Sequence, residues 1–155
     1  ANRLARHAVS ESAAGNDDTA EELAGRAARL RPDSIAYRMT AVRVLLAADS
    51  LTTTDSALRH AAEAVRWSAH DPIAVDLQAT ALLQRALQTG SAADTAAAVS
   101  AWQVLVERDP HRGRWQLQLG IAAAAAGDSS LARQAWQRAE ALGQVRATAL
   151  LQELP

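Results

Sequence analysis

Four histidines, a cluster of acids, two groups of arginines and four tryptophans are the residues of this chain whose types suit chemistry. His7, His60, His70 and His111 are candidates for acid–base or metal work, because imidazole titrates near neutrality and binds metals. No two stand three or four residues apart, and no HExxH occurs. His70 and His111 adjoin helix boundaries marked by Asp71 and Asp109, so a solvent-facing or capping role is the preferred reading of the four. Asp17, Asp18, Glu21 and Glu22 gather oxygen ligands that calcium favours, but without the glycine and bidentate glutamate of an EF-hand loop. Helix capping and the helix dipole account for such acids without a metal. Arg26, Arg29 and Arg31 fall near a helix end, where the dipole favours cations. Arg112 and Arg114 fall near a helix start, where it does not. Their forked guanidinium groups can grip a carboxylate or a glycan acid, although a solvated face is the leading reading. Trp67, Trp102, Trp115 and Trp136 suit either sugar stacking or packing, and packing is favoured for all four. P-loop, GxGxxG and GxSxG motifs are absent, as is cysteine, which excludes disulfides, thiol catalysis and cysteine-bound metal. No catalytic site, cofactor or metal is expected within the chain.

The elements that position these residues follow from composition. The chain has 155 residues, the length of one domain. Thirty-nine are alanine, the strongest helix former, and valine, isoleucine and aromatic residues are too sparse for a sheet. An all-α fold is therefore expected. Every basic residue is arginine, and that bias with high alanine and leucine points to a GC-rich bacterial coding sequence. The net charge of −1 argues against nucleic acid or a polybasic membrane segment. No apolar run is long enough to insert in a bilayer. The first fifteen residues hold no apolar stretch of signal-peptide length, and the absence of an initial methionine raises the expectation of a longer parent chain.

Punctuation divides the chain into nine predicted helices with short connections. The first spans 1–14 and stops at Gly15. The second starts on a cap at Asp17 or Asp18 and runs to Leu30 before Pro32. The third covers 34–48, and 49–54 reads as a polar loop. The fourth extends to Ala69. Asp71 then caps a fifth with Pro72 at its first position, and Gly90 follows its end. Ser91 with Asp94 resembles a capping box for the sixth, which runs to Arg108. Asp109–Pro110 reads as a second cap-then-proline start for the seventh, which ends at Gly127. Asp128 caps the eighth, which ends at Gly143, and a ninth runs to Leu154.

The even-numbered helices share one spacing. Ala20, Ala24 and Ala27 stand at i, i+4 and i+7, as do Ala57, Ala61 and Ala64, then Ala98, Trp102 and Leu105, then Ala132, Trp136 and Ala139. These residues share a helix face, and the offsets between successive sets are 37, 41 and 34 residues (57−20, 98−57, 132−98). Two helices per period of that length imply a stacked solenoid, with units of about 1–33, 34–70, 71–110 and 111–143 and a terminal helix over 144–154. Leu119–Gly120, Gly127, Ala132, Trp136 and Ala139 fit the tetratricopeptide repeat pattern in register, and this stretch resembles that family. Trp115 is displaced by one from the family's early tryptophan, and Gln144 replaces its closing proline. The first unit fits through Gly15, Ala20, Ala27 and Pro32. The resemblance implies a right-handed stack of about four hairpins. The runs 26–39, 65–79 and 101–128 are also similar to tails of bacterial O-antigen ligase or polymerase-like membrane proteins.

In the repeat family the first helix of each pair lines a concave groove. By that resemblance Met39, Arg43, Asp76, Thr80, Gln84, Arg114, Leu117 and Gln118 would line it here. The family's lysine–asparagine clamp for a C-terminal carboxylate is missing, because lysine is absent and Ala5 and Val9 hold the first-unit positions. The expected function is a non-catalytic interaction module taking a protein, a peptide or a neighbouring domain of its parent chain. Its expected place is the extracytoplasmic side of a bacterial membrane, within a glycan ligase or polymerase-like protein. A cytoplasmic regulatory domain is the alternative, and a glycan-binding module using exposed tryptophans is a third reading.

Overall fold

The computed structural model describes residues 1–31 and 33–153. Among the described residues the chain forms nine α-helices and no strand. They are α1 (Asn2–Ala13), α2 (Asp17–Leu30), α3 (Ile35–Ala47), α4 (Leu51–Trp67), α5 (Pro72–Thr89), α6 (Ala92–Arg108), α7 (Gly113–Ala125), α8 (Ser129–Ala141) and α9 (Val145–Glu153). The expected stop at Pro32 and the last residue of the ninth helix, Leu154, lie outside the described residues.

Consecutive helices pack as hairpins, α1 with α2, α3 with α4, α5 with α6 and α7 with α8, and each hairpin packs on the next. The first helices of the pairs also touch one another, α1 with α3, α3 with α5 and α5 with α7. The second helices stand further apart. Stacking that crowds one row and spreads the other bends the array, so α1, α3, α5 and α7 form its inner face.

The repeated spacing is the core. All twelve residues of the four sets, from Ala20 to Ala139, are buried. Alanine lets helices approach closely; Trp102 and Leu105 fill the wider gap beneath α5 and α7, among Leu83, Trp115 and Leu119. At the α7–α8 crossing Trp136 lies against Gly120, where an added Cβ would come within 2.3 Å of the indole ring. The indole N–H of Trp136 donates to the Leu117 carbonyl at 3.3 Å. Trp115 is also buried. Trp67, expected to pack, is 61% exposed because it ends α4 at the edge of the stack.

The caps are legible in part. Asp71 accepts from the Ile73 and Ala74 amides with Pro72 at the first helical position, and Gly90 closes α5 at φ 72°. Ser91 accepts from the Asp94 amide, and Asp128 from the Leu131 amide. Three expectations need correction. Asn16, not Asp17 or Asp18, precedes α2, and both acids sit inside its first turn. The polar loop at 49–54 is shorter, because Ser50 and Thr53 bond each other's backbone amides in a capping box and start α4 at Leu51. Asp109 ends α6 and accepts from the His111 amide at 3.3 Å, so α7 begins only at Gly113.

Candidate functional site

The inner face carries two depressions, and α3 contributes residues to both. Ala36, Thr40 and Arg43 stand at i, i+4 and i+7 on this helix and therefore share one stripe. At one end Ala36, Tyr37 and Thr40 join Ala5, Arg6 and Val9 of α1 around a mostly apolar hollow of about 370 Å³. Val9 is 53% exposed there. At the other end Arg43 joins Ile73, Asp76 and Leu77 of α5 and Arg112, Arg114 and Trp115 at the start of α7, around a hollow of about 180 Å³.

The second hollow is polar and unevenly charged. Asp76 is buried beneath it, and each of its carboxylate oxygens is engaged. Oδ1 accepts from the Trp102 indole N–H at 2.9 Å, and Oδ2 faces the Arg114 guanidinium at 3.1 Å. A buried indole needs an acceptor, and a buried carboxylate needs a cation; the three side chains tie α5, α6 and α7 together. Arg112 pairs with Asp109 at 3.4 Å and lies over the Trp115 ring, 4.8 Å from its centroid. Arg43 is exposed and makes no ion pair or hydrogen bond among the described residues. Three guanidinium groups thus face one hollow with Asp76 and Asp109 as their carboxylate partners, and the surplus charge is that of Arg43.

Of the residues expected to line the groove, the structure brings Arg43, Asp76 and Arg114 together. Leu117 is a correction: it is buried with Ala132, Trp136 and Ala139, because α7 turns that side toward α8. Asp76 is likewise occupied within the fold and does not stand open to a partner. Met39 packs on the cluster of Val42, Leu45, Ala57, Ala61 and Leu77, so Thr40 takes the open position one residue on. Thr80 donates to the Asp76 carbonyl of its own helix. Gln84 donates to the Leu46 carbonyl and the Asp49 carboxylate, bracing α5 against the end of α3. Gln118 is half-buried and lines neither hollow. Sequence reasoning missed Tyr37, Ile73 and Trp115 as lining residues. Tyr37 stands three residues before Thr40, the helical spacing that could have placed it beside the first hollow.

The outer side holds a hollow of about 360 Å³ between α2 and α4, walled by Asp18, Glu21, Glu22, Arg29, Arg59 and His60 among others. Its acids and arginines nearly balance. Among the described residues no group of three or more histidine, aspartate or glutamate side chains is arranged to hold a metal. Burial, with Arg38, Arg59 and Arg29 nearby, pushes the His60 imidazole below its ordinary pKa. His7 pairs with Glu11 at 2.9 Å on the surface of α1. Arg85 holds both oxygens of Asp94 at 2.7 Å and keeps that carboxyl below the usual range.

No protein-family model matches the chain, and no curated protein matches it. Solved structures do. A MamA fragment from residue 41 to the end, from Desulfovibrio magneticus RS-1, superposes with a TM-score of 0.74 at 18% identity, over 91% of this chain and 74% of that one. A crystal structure of MamA gives 0.72 at 14% identity, over 90% and 77%. Another gives 0.72 at 12% identity, over 99% and 85%. At these identities the likeness concerns the fold, a right-handed tetratricopeptide-like α-solenoid. Among the described residues no helix is long and apolar enough to cross a membrane.

Proposed function

We propose that the chain is a protein-interaction scaffold whose inner face, along the α3 stripe and the start of α7, holds a segment of a protein partner. One observation carries the reading: Arg43 lines the second hollow, about one turn of α3 from Thr40 in the first, with no partner among the described residues. An arginine kept on a concave wall without a carboxylate is a donor fork awaiting an acceptor. The stack is supported independently of that fork, since Arg43 contributes no internal bond. A photo-crosslinking residue in place of Thr40, with a control in place of Arg59 on the outer side, tests it in an extract of the source cells. Labelling of a polypeptide at position 40, weakened by Arg43→Glu, is expected. Equal labelling at both positions, or none at position 40, overturns the reading.

The finer proposal is that this scaffold is an extracytoplasmic appendage of a bacterial O-antigen ligase or polymerase-like membrane protein. It rests on the similarity of the runs 26–39, 65–79 and 101–128 to such tails. Sequencing the reading frame on both sides of the chain tests it. About ten apolar spans of membrane length in the parent support it. A DNA-binding or nucleotide-binding neighbour favours the cytoplasmic regulatory alternative.

A further inference from the structure

We propose that the partner segment is acidic, with an apolar anchor beside an aspartate or glutamate. This rests on the inner-face reading above and adds its chemistry. The charge is the first argument. Arg112 and Arg114 are held in place by Asp109 and Asp76, while Arg43 is unpaired across the same hollow. A carboxylate entering there meets two guanidinium groups, each already fixed by an ion pair, and a third that is free. Its ordering cost is thereby lowered. A basic or neutral segment gains nothing from this wall and leaves Arg43 facing it unpaired.

The adjoining hollow is the second argument. Val9 of α1 with Ala36 and Tyr37 of α3 form an apolar patch about two turns of α3 from Arg43. A ligand covering both hollows places its apolar anchor at one end of this stretch of α3 and its acid at the other. Residues 36 and 43 of α3 lie about 10 Å apart along the axis at the α-helical rise. An extended partner spans this in roughly three residues, and a helical partner in about seven.

The test is an array of randomised twelve-residue peptides, acetylated and amidated at their ends, probed with the whole chain. The expected bound set is enriched in aspartate or glutamate near a leucine, tyrosine or phenylalanine. Its affinity falls with added salt. Arg43→Glu weakens those peptides by roughly 10- to 100-fold, the worth of a hydrogen bond between charged groups. Tyr37→Ser removes the apolar preference and leaves the acidic one. Enrichment of neutral or basic peptides overturns the proposal, as does acidic enrichment that Arg43→Glu leaves unchanged. An empty array with inner-face crosslinking intact also overturns it, while the scaffold reading stands. An empty array with no crosslink at position 40 removes both.

Discussion

Replacing Asp76 separates its two duties, and the two replacements differ in a way the geometry fixes. Asp76→Ala removes the acceptor of the Trp102 indole N–H, which is wholly buried and has its only hydrogen bond there among the described residues. Stranding a buried donor costs about 1–3 kcal/mol. The same change also takes the partner of Arg114. That side chain is 64% exposed, so its guanidinium returns to water and adds about 1 kcal/mol or less. Asp76→Asn keeps an oxygen for Trp102 and loses only the charge, so about 1 kcal/mol is expected. The alanine variant should therefore be the less stable by about 1–3 kcal/mol. Urea unfolding followed by the helical circular-dichroism signal measures the difference. In a Trp102→Phe background the indole donor is gone, and the gap between the two variants should nearly close. Equal instability of the alanine and asparagine variants with Trp102 intact would refute the reasoning, since charge alone would then explain both. A gap that persists in the phenylalanine background would refute it as well. The asparagine variant also removes a negative charge from beneath the hollow without unfolding the stack, so it should tighten the binding of capped acidic peptides.

The α7–α8 crossing and the outer histidine each give a further test. Trp136→Ala should cost about 3–5 kcal/mol by cavity formation, and Gly120→Ala should also destabilise because its Cβ would overlap the same ring. With the ring gone, the Trp136→Ala chain should tolerate Gly120→Ala better than the wild-type chain does; thermal denaturation of the four proteins reads this, and additive losses would count against the contact. His60 has a pKa below the ordinary histidine value in the folded chain, so the unfolded chain binds the proton first. Its contribution to stability is complete above about pH 6.5, the unperturbed value, and declines as the pH falls from there through the folded value. His60→Gln should flatten stability between neutral and mildly acidic pH; an unchanged slope would move the titration to another group.

The stack was readable because small residues are demanded where helices cross. Alanine, tryptophan or leucine at i, i+4 and i+7 of each second helix marks the face on which that helix packs, and all of those residues are buried. The caps were readable where a side chain performs the same bond in any context, as at Asp71, Ser91 and Asp128. Asp109–Pro110 imitates Asp71–Pro72 in letters but not in surroundings. Gly113 opens α7 tight against Leu142 and Gln144, where a Cβ would come within 3.0 Å, so the helix start follows that approach and not the proline.

The inner face was harder to read for a reason that belongs to the fold. A helix of the inner row touches its hairpin partner and the first helices on either side, so little of its surface is left to solvent. Its sequence therefore lacks the polar stripe that marks an exposed face. With no stripe to fix the rotation, a shift of one residue separates Met39, packed against the core, from Thr40, which lines the first hollow, and buried Leu117 from half-buried Gln118. Arg43 escaped this ambiguity because a long cation with no internal partner can lie only at the surface. Asp76 did not. A lone acid in a helical pattern reads as exposed, and its burial depends on Trp102 and Arg114, which lie 26 and 38 residues further along the chain (102−76, 114−76). The residues that make the site basic are thus legible singly, while the surplus of positive charge emerges only once the stacking of α3, α5 and α7 shows which of them are already paired.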